Sequence, residues 1–390
     1  MSVAVGRTAA EPPAGDNSTA EGSPGGDLEA EADTTTGGED RDAVEALLDR
    51  GGERLRERMA RIETHLEHVT AAAGAPLAVH AGATIAAGGK RLRPLLVVLA
   101  AEAAEAAGSA PADPEAAGRE AAGVFAEERL IRAAVAVELV HSATLVHDDV
   151  IDRAPLRRGR STVVATAGRR VAVATGDLLF SRAFAELARN DNPAQLQALS
   201  DASSALAAGE LLQREDAYAP RVALERYLGR CELKTAALFE AACRLGALVG
   251  AGAAGLASTE LADALGLFAR RIGLAFQILD DVLDVSGPVE RTGKARGTDL
   301  LDGTVTLPLI IARERAAELA EFDLRGLRGA GADRVEELCD RIAATGALGA
   351  ARARALGAVA DAKAALPASL PRDRSASLER VADAVVERYS

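Results

Sequence analysis

Two segments of the chain each place three aspartates at positions i, i+1 and i+4 within a run of apolar residues. The six side chains are those of Asp148, Asp149, Asp152, Asp280, Asp281 and Asp284. On a helix, residues i and i+4 lie one turn apart on the same face, so the first and last aspartate of each triplet should stand side by side. Desolvating such like charges costs on the order of several kcal/mol each, and a cation relieves that cost. Magnesium suits the case, because it takes oxygen ligands and is commonly held by carboxylates together with substrate phosphates.

The triplets have two alternative interpretations. A single isolated triplet is more often a solvated acidic helix face, but two copies embedded in apolar sequence favour a metal site. A ferritin-like metal bundle also uses acids on facing helices, but it pairs them with Glu-x-x-His motifs on two helices. The sequence carries no such pair of motifs, which weakens that alternative.

Cationic residues in four other segments could hold the rest of a phosphorylated ligand. The turn at 88–94, Gly-Gly-Lys-Arg-Leu-Arg-Pro, combines glycines that allow close backbone approach with side chains that make charge-assisted contacts. Any one of these cations alone would more often be a surface charge, so the hypothesis rests on their combination. The other segments are Arg157-Arg158-Gly159, Lys234-Thr235 and Lys294.

The composition predicts an all-α fold. Hydrophobic residues make up 48% of the 390-residue chain and aromatic residues only 3%, while alanine, the best helix former, is abundant. Residues 1–41 are poor in large apolar side chains and predict a disordered acidic tail. Leucine, methionine and isoleucine then recur at helical spacing, so residues 42–390 are expected to form a single large helical bundle around a central cavity.

Charge, cysteines and hydropathy exclude several classes of protein. The net charge of −13 argues against a nucleic-acid partner. The three cysteines, Cys231, Cys243 and Cys339, are too few and too scattered for a disulfide framework, which indicates buried thiols in a reducing cytoplasm. No signal peptide and no membrane span are expected.

Eight sequence strings, in order, resemble the trans-isoprenyl diphosphate synthases over roughly residues 43–390. They are GGKRLRP at Gly88, HSATLVHDDVID at His141, RRG at Arg157, TGDLLF at Thr175, GELLQ at Gly209, ELKTA at Glu232, GLAFQILDDVLD at Gly273 and GTDLLDGTVTLP at Gly297. One departure is Thr304, where many members of that family carry lysine.

The resemblance implies a role for each residue. The first triplet would hold Mg²⁺ on the diphosphate of an allylic substrate, and the second, chiefly Asp280, would complete the metal set. Lys90, Arg93, His141 and Arg158 would bind isopentenyl diphosphate. Arg157, Lys234 and Lys294 would contact the allylic diphosphate, with Thr235 and Gln277 close to the reacting ends. The catalytic set implied is Asp148, Asp149, Asp152, Lys234 and Asp280.

The resemblance also implies a homodimer and a head-to-tail condensation that releases diphosphate. Ala143 and Thr144, one turn before Asp148, are small. They predict an open pocket and a product longer than geranylgeranyl diphosphate, unless the alanine merely suits helix packing.

The main alternative is a non-catalytic or regulatory subunit of a heteromeric synthase, which would usually lose one triplet. A terpene cyclase would carry an Asn/Ser/Glu metal triad in place of the second triplet.

Overall fold

The structure, a computed structural model, describes residues 38–72, 74–75, 77–108, 117–157, 159–251, 256–287 and 296–387. The first described helix begins at Gly38, inside the predicted tail, and the rest of that tail lies outside the described residues. Two residues assigned to the candidate site by sequence, Arg158 and Lys294, also lie outside them.

Helices make up nearly all of the described chain, as the composition predicts. They are α1 (Gly38–Ala71), α2 (Leu77–Ala86), α3 (Leu92–Gly108), α4 (Ala117–Asp152), α5 (Val163–Ala167), α6 (Arg169–Ala188), α7 (Pro193–Glu215), α8 (Leu224–Cys231), a π-helical turn (Glu232–Ala236), α9 (Ala237–Gly250), α10 (Leu256–Ser286), α11 (Thr298–Leu301), α12 (Leu307–Arg315), α13 (Ala317–Ala320), a 3₁₀ turn (Leu324–Leu327), α14 (Ala332–Ala344), α15 (Ala347–Ala364) and α16 (Arg372–Glu387). The prediction of an all-α fold is confirmed.

The first helix shows how the apolar periodicity becomes a core. Leu55, Ile62 and Leu66 are buried on one side of α1, while charged residues between them are mostly exposed. The helix kinks at Gly52, whose φ of 78° suits glycine because it has no Cβ. The apolar stripe therefore packs onto the bundle from the turn after that kink.

Glycines set the close spacing of the central helices. A Cβ at Gly246 of α9 would lie 2.1 Å from the Val97 carbonyl oxygen of α3, and one at Gly250 would lie 2.1 Å from that of Ala101. Real Cβ atoms do not approach so closely, so α3 and α9 pack backbone to backbone at these two points. The small side chains of the sequence thus give a tightly packed bundle centre.

The helix α4 contains a long apolar stretch that lies in the core. Within the described chain, its stretch Ala126–Asp152 is long and apolar enough to cross a membrane by length and composition, but 72% of its most apolar window is buried in the protein. Its apolar side chains therefore pack against other helices. The helix ends at the first aspartate triplet.

Two short elements depart from the pattern of long helices. A small antiparallel hairpin pairs β1 (Leu156–Arg157) with β2 (Arg160–Ser161). The short helix α11 lies between α10 and α12. Two-residue strands are too short to show an alternating pattern, and a one-turn helix is too short to show a period.

The prediction of buried free thiols is confirmed for all three cysteines. Burial raises the pKa of Cys231 and Cys243, and it raises that of Cys339 to about 12. Because the thiolate is the reactive form, these side chains are inert packing groups.

Candidate functional site

The first triplet lies at the C-terminal end of α4 and is partly neutralised by arginines. Asp149 is 6% exposed and accepts a hydrogen bond of 2.8 Å from Arg157 Nε of the hairpin. Asp152 forms an ion pair with Arg214 of α7. Among the described residues, no arginine forms an ion pair with Asp148. Desolvation raises the pKa of Asp148 to about 6, with Lys234 and Arg157 opposing and Glu210 and Asp152 adding to the rise. The end of α4 is therefore a place where another cation would be stabilised.

The second triplet, near the end of α10, is split between solvent and core. Asp280 is exposed, whereas Asp281 is only 3% exposed. The oxygens of Asp281 accept hydrogen bonds from Gln277 Nε2 and from the Tyr227 hydroxyl, each 2.7 Å long. Desolvation raises the pKa of Asp281 to about 7, and the nearby charge of Asp299 adds to the rise. Asp284 Oδ2 accepts from the Asp299 backbone N–H at 3.3 Å.

A π-helical turn lies between the two triplets. Its Lys234 donates to Glu210 of α7, and the positive charge also acts on Asp148. The next residue, Thr235, donates from Oγ1 to Gln277 Oε1 of α10 at 2.6 Å. Consecutive residues of the turn thus connect to opposite sides of the site. Single π turns within helices recur at functional sites, because they redirect side chains that a regular helix would place elsewhere.

The approach of α7 to this turn depends on Gly209. A Cβ at this position would lie 2.5 Å from the Lys234 backbone nitrogen. Glu210, the next residue, is buried, and burial alone would raise its pKa. The Lys234 and Arg214 partners instead leave the pKa of Glu210 below its usual value, so it stays ionised and holds Lys234 beside the first triplet.

The basic turn at 88–94 is fastened by Arg91, which has a left-handed φ of 49°. Arg91 donates to Glu63 of α1 at 2.5 Å, to Glu138 of α4 at 2.7 Å and to the Ile85 carbonyl at 2.9 Å. Glu138 and His141 form a Glu-x-x-His spacing, and residues i and i+3 share a helix face. The structure therefore ties the turn that carries Lys90 and Arg93 to the part of α4 that carries His141.

Sequence reasoning missed three residues of this arrangement. Glu210 lies inside the GELLQ string and Arg214 directly follows it, but neither residue has a local sequence signal that assigns it a role. Tyr227 is fully buried and contacts Asp281 across 54 residues of sequence, so no local signal marks it. Each of the three acts through a partner from another helix.

The described side chains are not arranged as a set of metal ligands. Within the described part of the chain, no group of three or more histidine, cysteine, aspartate or glutamate side chains is placed to hold a metal ion. Arg157 and Arg214 draw Asp149 and Asp152 into ion pairs. The donors nevertheless fit a hard divalent cation, because they are carboxylate oxygens and the side chain of Asp148 is desolvated. The assignment of all six aspartates to metal stays a prediction.

Known proteins resemble this chain in sequence and in fold. The polyprenyl synthetase family profile matches residues 76–342. The chain is 41% identical to "Heptaprenyl diphosphate synthase component 2" of Geobacillus stearothermophilus over 258 residues, which are 66% of this chain and 73% of that protein. It is 39% identical to "Geranylgeranyl diphosphate synthase" of Methanosarcina mazei over 242 residues, 60% of this chain and 67% of that one.

A solved structure extends the likeness to the whole fold. The polyprenyl synthase of Caulobacter crescentus CB15, crystallised with calcium and isoprenyl diphosphate, superposes with a TM-score of 0.74 at 34% identity and covers 89% of this chain and 98% of its own. The family match spans both aspartate triplets, the basic turn and the π turn. The chain therefore belongs to the polyprenyl synthetase family, the trans-isoprenyl diphosphate synthases, as its motifs predicted.

Proposed function

We propose that the protein is a Mg²⁺-dependent trans-prenyltransferase that joins isopentenyl diphosphate to an allylic diphosphate and releases diphosphate. The product would be a polyprenyl diphosphate longer than geranylgeranyl diphosphate. One observation carries the proposal: the π turn links two aspartate triplets, with Lys234 on the side of the first and Thr235 on the side of the second.

The metal would be held by carboxylates of both triplets. Asp148, Asp149, Asp152, Asp280 and Asp284 are the ligands proposed, with Asp281 beside them. A divalent cation at this place would stabilise the negative charge that develops on a departing diphosphate. The raised pKa of Asp148 supports this role, since a desolvated carboxylate gains most from a cation. The Caulobacter crescentus relative was crystallised with calcium and isoprenyl diphosphate, which is consistent with the same kind of ligand here.

The chain's own cations would bind and orient the two diphosphates. Lys90, Arg93 and His141 would take the isopentenyl diphosphate, because the Arg91 contacts hold the basic turn against α4. Arg158 was assigned to the same diphosphate by sequence. Arg157, Lys234 and Lys294 would contact the allylic diphosphate, and Glu210 keeps Lys234 pointed toward the first triplet. Thr235 and Gln277 would lie near the reacting carbons.

The length of the product rests on the residues before the first triplet. Thr144 is half-buried and donates to the His141 carbonyl at 2.7 Å, while Ala143 is fully buried in the core. Neither side chain is large enough to close a pocket at this turn of α4. The relatives include a heptaprenyl and a geranylgeranyl synthase, so the product assay described below decides between long and short products.

The assembly and the compartment complete the proposal. A homodimer is the form implied by the resemblance, and the three free cysteines support a reducing cytoplasm. One relative's name describes it as a component, which favours a second candidate: a subunit of a heteromeric synthase. Because this chain retains both triplets, we propose that it would be the active member of such a pair.

The test is a product assay with the purified chain, Mg²⁺, labelled isopentenyl diphosphate and a panel of allylic primers, with the products separated by length. We expect radiolabelled prenyl diphosphates beyond geranylgeranyl diphosphate. Asp148→Asn and Asp280→Asn should abolish them, whereas Asp201→Asn, an exposed change on α7, should not. No product from any primer would contradict activity of the chain on its own.

A further inference from the structure

Both carboxylate oxygens of Asp281 are engaged inside the protein, unlike those expected of a metal ligand. Oδ1 accepts from Gln277 Nε2 and Oδ2 accepts from the Tyr227 hydroxyl, each at 2.7 Å. Asp281 is 3% exposed and Tyr227 is fully buried. Both donors are neutral groups of the protein, and together they satisfy both oxygens of this buried side chain.

The contacts of Asp281 continue into the candidate site as one line of hydrogen bonds. Gln277 gives its Nε2 to Asp281 and receives Thr235 Oγ1 on its Oε1 at 2.6 Å. The side-chain amide is therefore fixed at both ends, and its orientation is set by which partner donates and which accepts. The line of hydrogen bonds begins at Tyr227 on α8 and ends at Thr235 on the π turn, within the candidate site.

We propose that Tyr227 and Asp281 are positioning residues that fix the Gln277 amide and the Thr235 hydroxyl, and that Asp281 is not a metal ligand. The inference rests on the proposed function, because Gln277 and Thr235 are the groups placed near the reacting carbons. Fixed dipoles stabilise charge that develops in a reaction better than dipoles that must reorient. Without the Tyr227 hydroxyl, Asp281 keeps only one of its two donors. Gln277 would then be held by a buried side chain that is itself no longer fixed from the other side.

The first test deletes the Tyr227 hydroxyl and compares it with a matched deletion elsewhere. Tyr227→Phe should lower kcat about tenfold, the scale of one lost buried hydrogen bond, with KM for both substrates nearly unchanged. Tyr218→Phe is the control, because its hydroxyl donates to the Leu301 carbonyl at 3.1 Å, outside this line. That variant should retain wild-type kcat. A Tyr227→Phe enzyme with wild-type kcat would overturn the proposal.

A double-mutant cycle tests whether Tyr227 acts through Gln277. If it does, adding Tyr227→Phe to Gln277→Ala should change kcat by less than about twofold, since residues that act as one unit are not additive. If the loss of kcat in the double variant equals the product of the losses in the two single variants, Tyr227 acts independently of Gln277 and the proposal is wrong. Thermal melts of the same variants verify that each one is folded.

The metal part has a readout that needs no turnover. Mn²⁺ with inorganic pyrophosphate serves as the probe, and bound Mn²⁺ is counted by electron paramagnetic resonance. Asp281→Asn should bind as many ions as the wild type, whereas Asp280→Asn should bind fewer. An equal loss in both variants would make Asp281 a ligand. Failure of the proposed function appears separately, as a folded wild-type protein that forms no product, and the Mn²⁺ comparison still decides the role of Asp281.

Discussion

Arg214 of α7 forms an ion pair with Asp152 at the end of α4, and it also donates from Nε to Glu210 at 3.0 Å. One guanidinium thus joins the first triplet to the carboxylate that holds Lys234. The Asp152 carboxylate is already neutralised by a protein cation in this arrangement, and a divalent ion at the triplet would have to compete with that cation. The pair is about one-third exposed, with side-chain exposures of 37% and 33%, so its strength is modest.

The first prediction removes this competing charge. Arg214→Gln should lower the Mg²⁺ concentration for half-maximal activity by about two- to fivefold, since a partly exposed ion pair is worth about 0.5–1 kcal/mol. Activity is measured across a magnesium titration at saturating substrate. Arg189→Gln, which removes the i,i+3 pair between the exposed Arg189 and the buried Glu186 of α6, should leave the titration unchanged. A rise in the magnesium requirement of Arg214→Gln would mean that the arginine assists binding instead.

The second prediction concerns the stability of the metal-free protein against pH. Desolvation raises the pKa of Asp148 from 3.8 to about 6 on folding. Between those values the unfolded chain has lost the proton that the folded chain retains, so the free energy of unfolding falls as pH rises. Above about pH 6 the folded protein carries a penalty of about 1–3 kcal/mol from this group. The penalty is absent below the ordinary pKa of aspartate.

The substitution Asp148→Asn tests whether this carboxylate lowers the free energy of unfolding as the pH rises. In the presence of EDTA at pH 7.5 the variant should melt at a higher temperature than the wild type, and near pH 4 the two should melt together. The exposed substitution Asp201→Asn serves as the control and should leave the melting temperature near that of the wild type at both pH values. An Asp148→Asn protein that is less stable than the wild type at pH 7.5 would contradict the predicted penalty.

The third prediction concerns the buried ion pair that fastens the basic turn. Arg91→Met leaves Glu138, which is 4% exposed, without its 2.7 Å partner. Breaking a buried pair from one side costs about 3–5 kcal/mol, so we expect a large drop in melting temperature and a raised KM for isopentenyl diphosphate. Arg132→Met is the matched control, because its pair with Glu128 is i,i+4 on one helix and partly exposed. That change should cost less than about 1 kcal/mol.

The chemistry-bearing residues could be predicted from sequence because their signals are local. Each aspartate triplet lies within five consecutive residues, and Lys90 and Arg93 lie within one short turn. The helical start of the bundle also follows from periodicity, as the buried stripe of α1 confirms. Local spacing therefore indicates which groups could act, and the family resemblance indicates the substrates on which they would act.

The pairing of those groups could not be predicted, because it depends on contacts between distant segments. Asp152 meets Arg214 across 62 residues, and Lys234 meets Glu210 across 24. The π turn leaves no compositional signal, since its five residues, Glu-Leu-Lys-Thr-Ala, would suit an ordinary helix equally well. Tertiary packing against α7 and α10 decides the conformation there. Consequently the sequence could not reveal that Asp281 faces inward to Tyr227.

The fourth prediction tests the contact that sets the position of the π turn. Gly209→Ala would place a Cβ 2.5 Å from the Lys234 backbone nitrogen and 2.8 Å from its Cα, and neither backbone atom can move without shifting the turn. Lys234 and Thr235 would then both be displaced, and a shift on the order of 1 Å in a positioning element can cost about a hundredfold in rate. We expect kcat/KM to fall by about that factor.

The control for Gly209→Ala is Gly229→Ala on α8, five residues before Lys234. A Cβ at Gly229 would meet nothing within 4 Å, and alanine is the better helix former, so that variant should be as active and as stable as the wild type. Each change adds one methyl group to a helix beside the π turn, and only the change at Gly209 drives that methyl group into the backbone of the turn. Equal activity of the two variants would mean that the turn tolerates displacement, and Lys234 and Thr235 would then not depend on α7 for their placement.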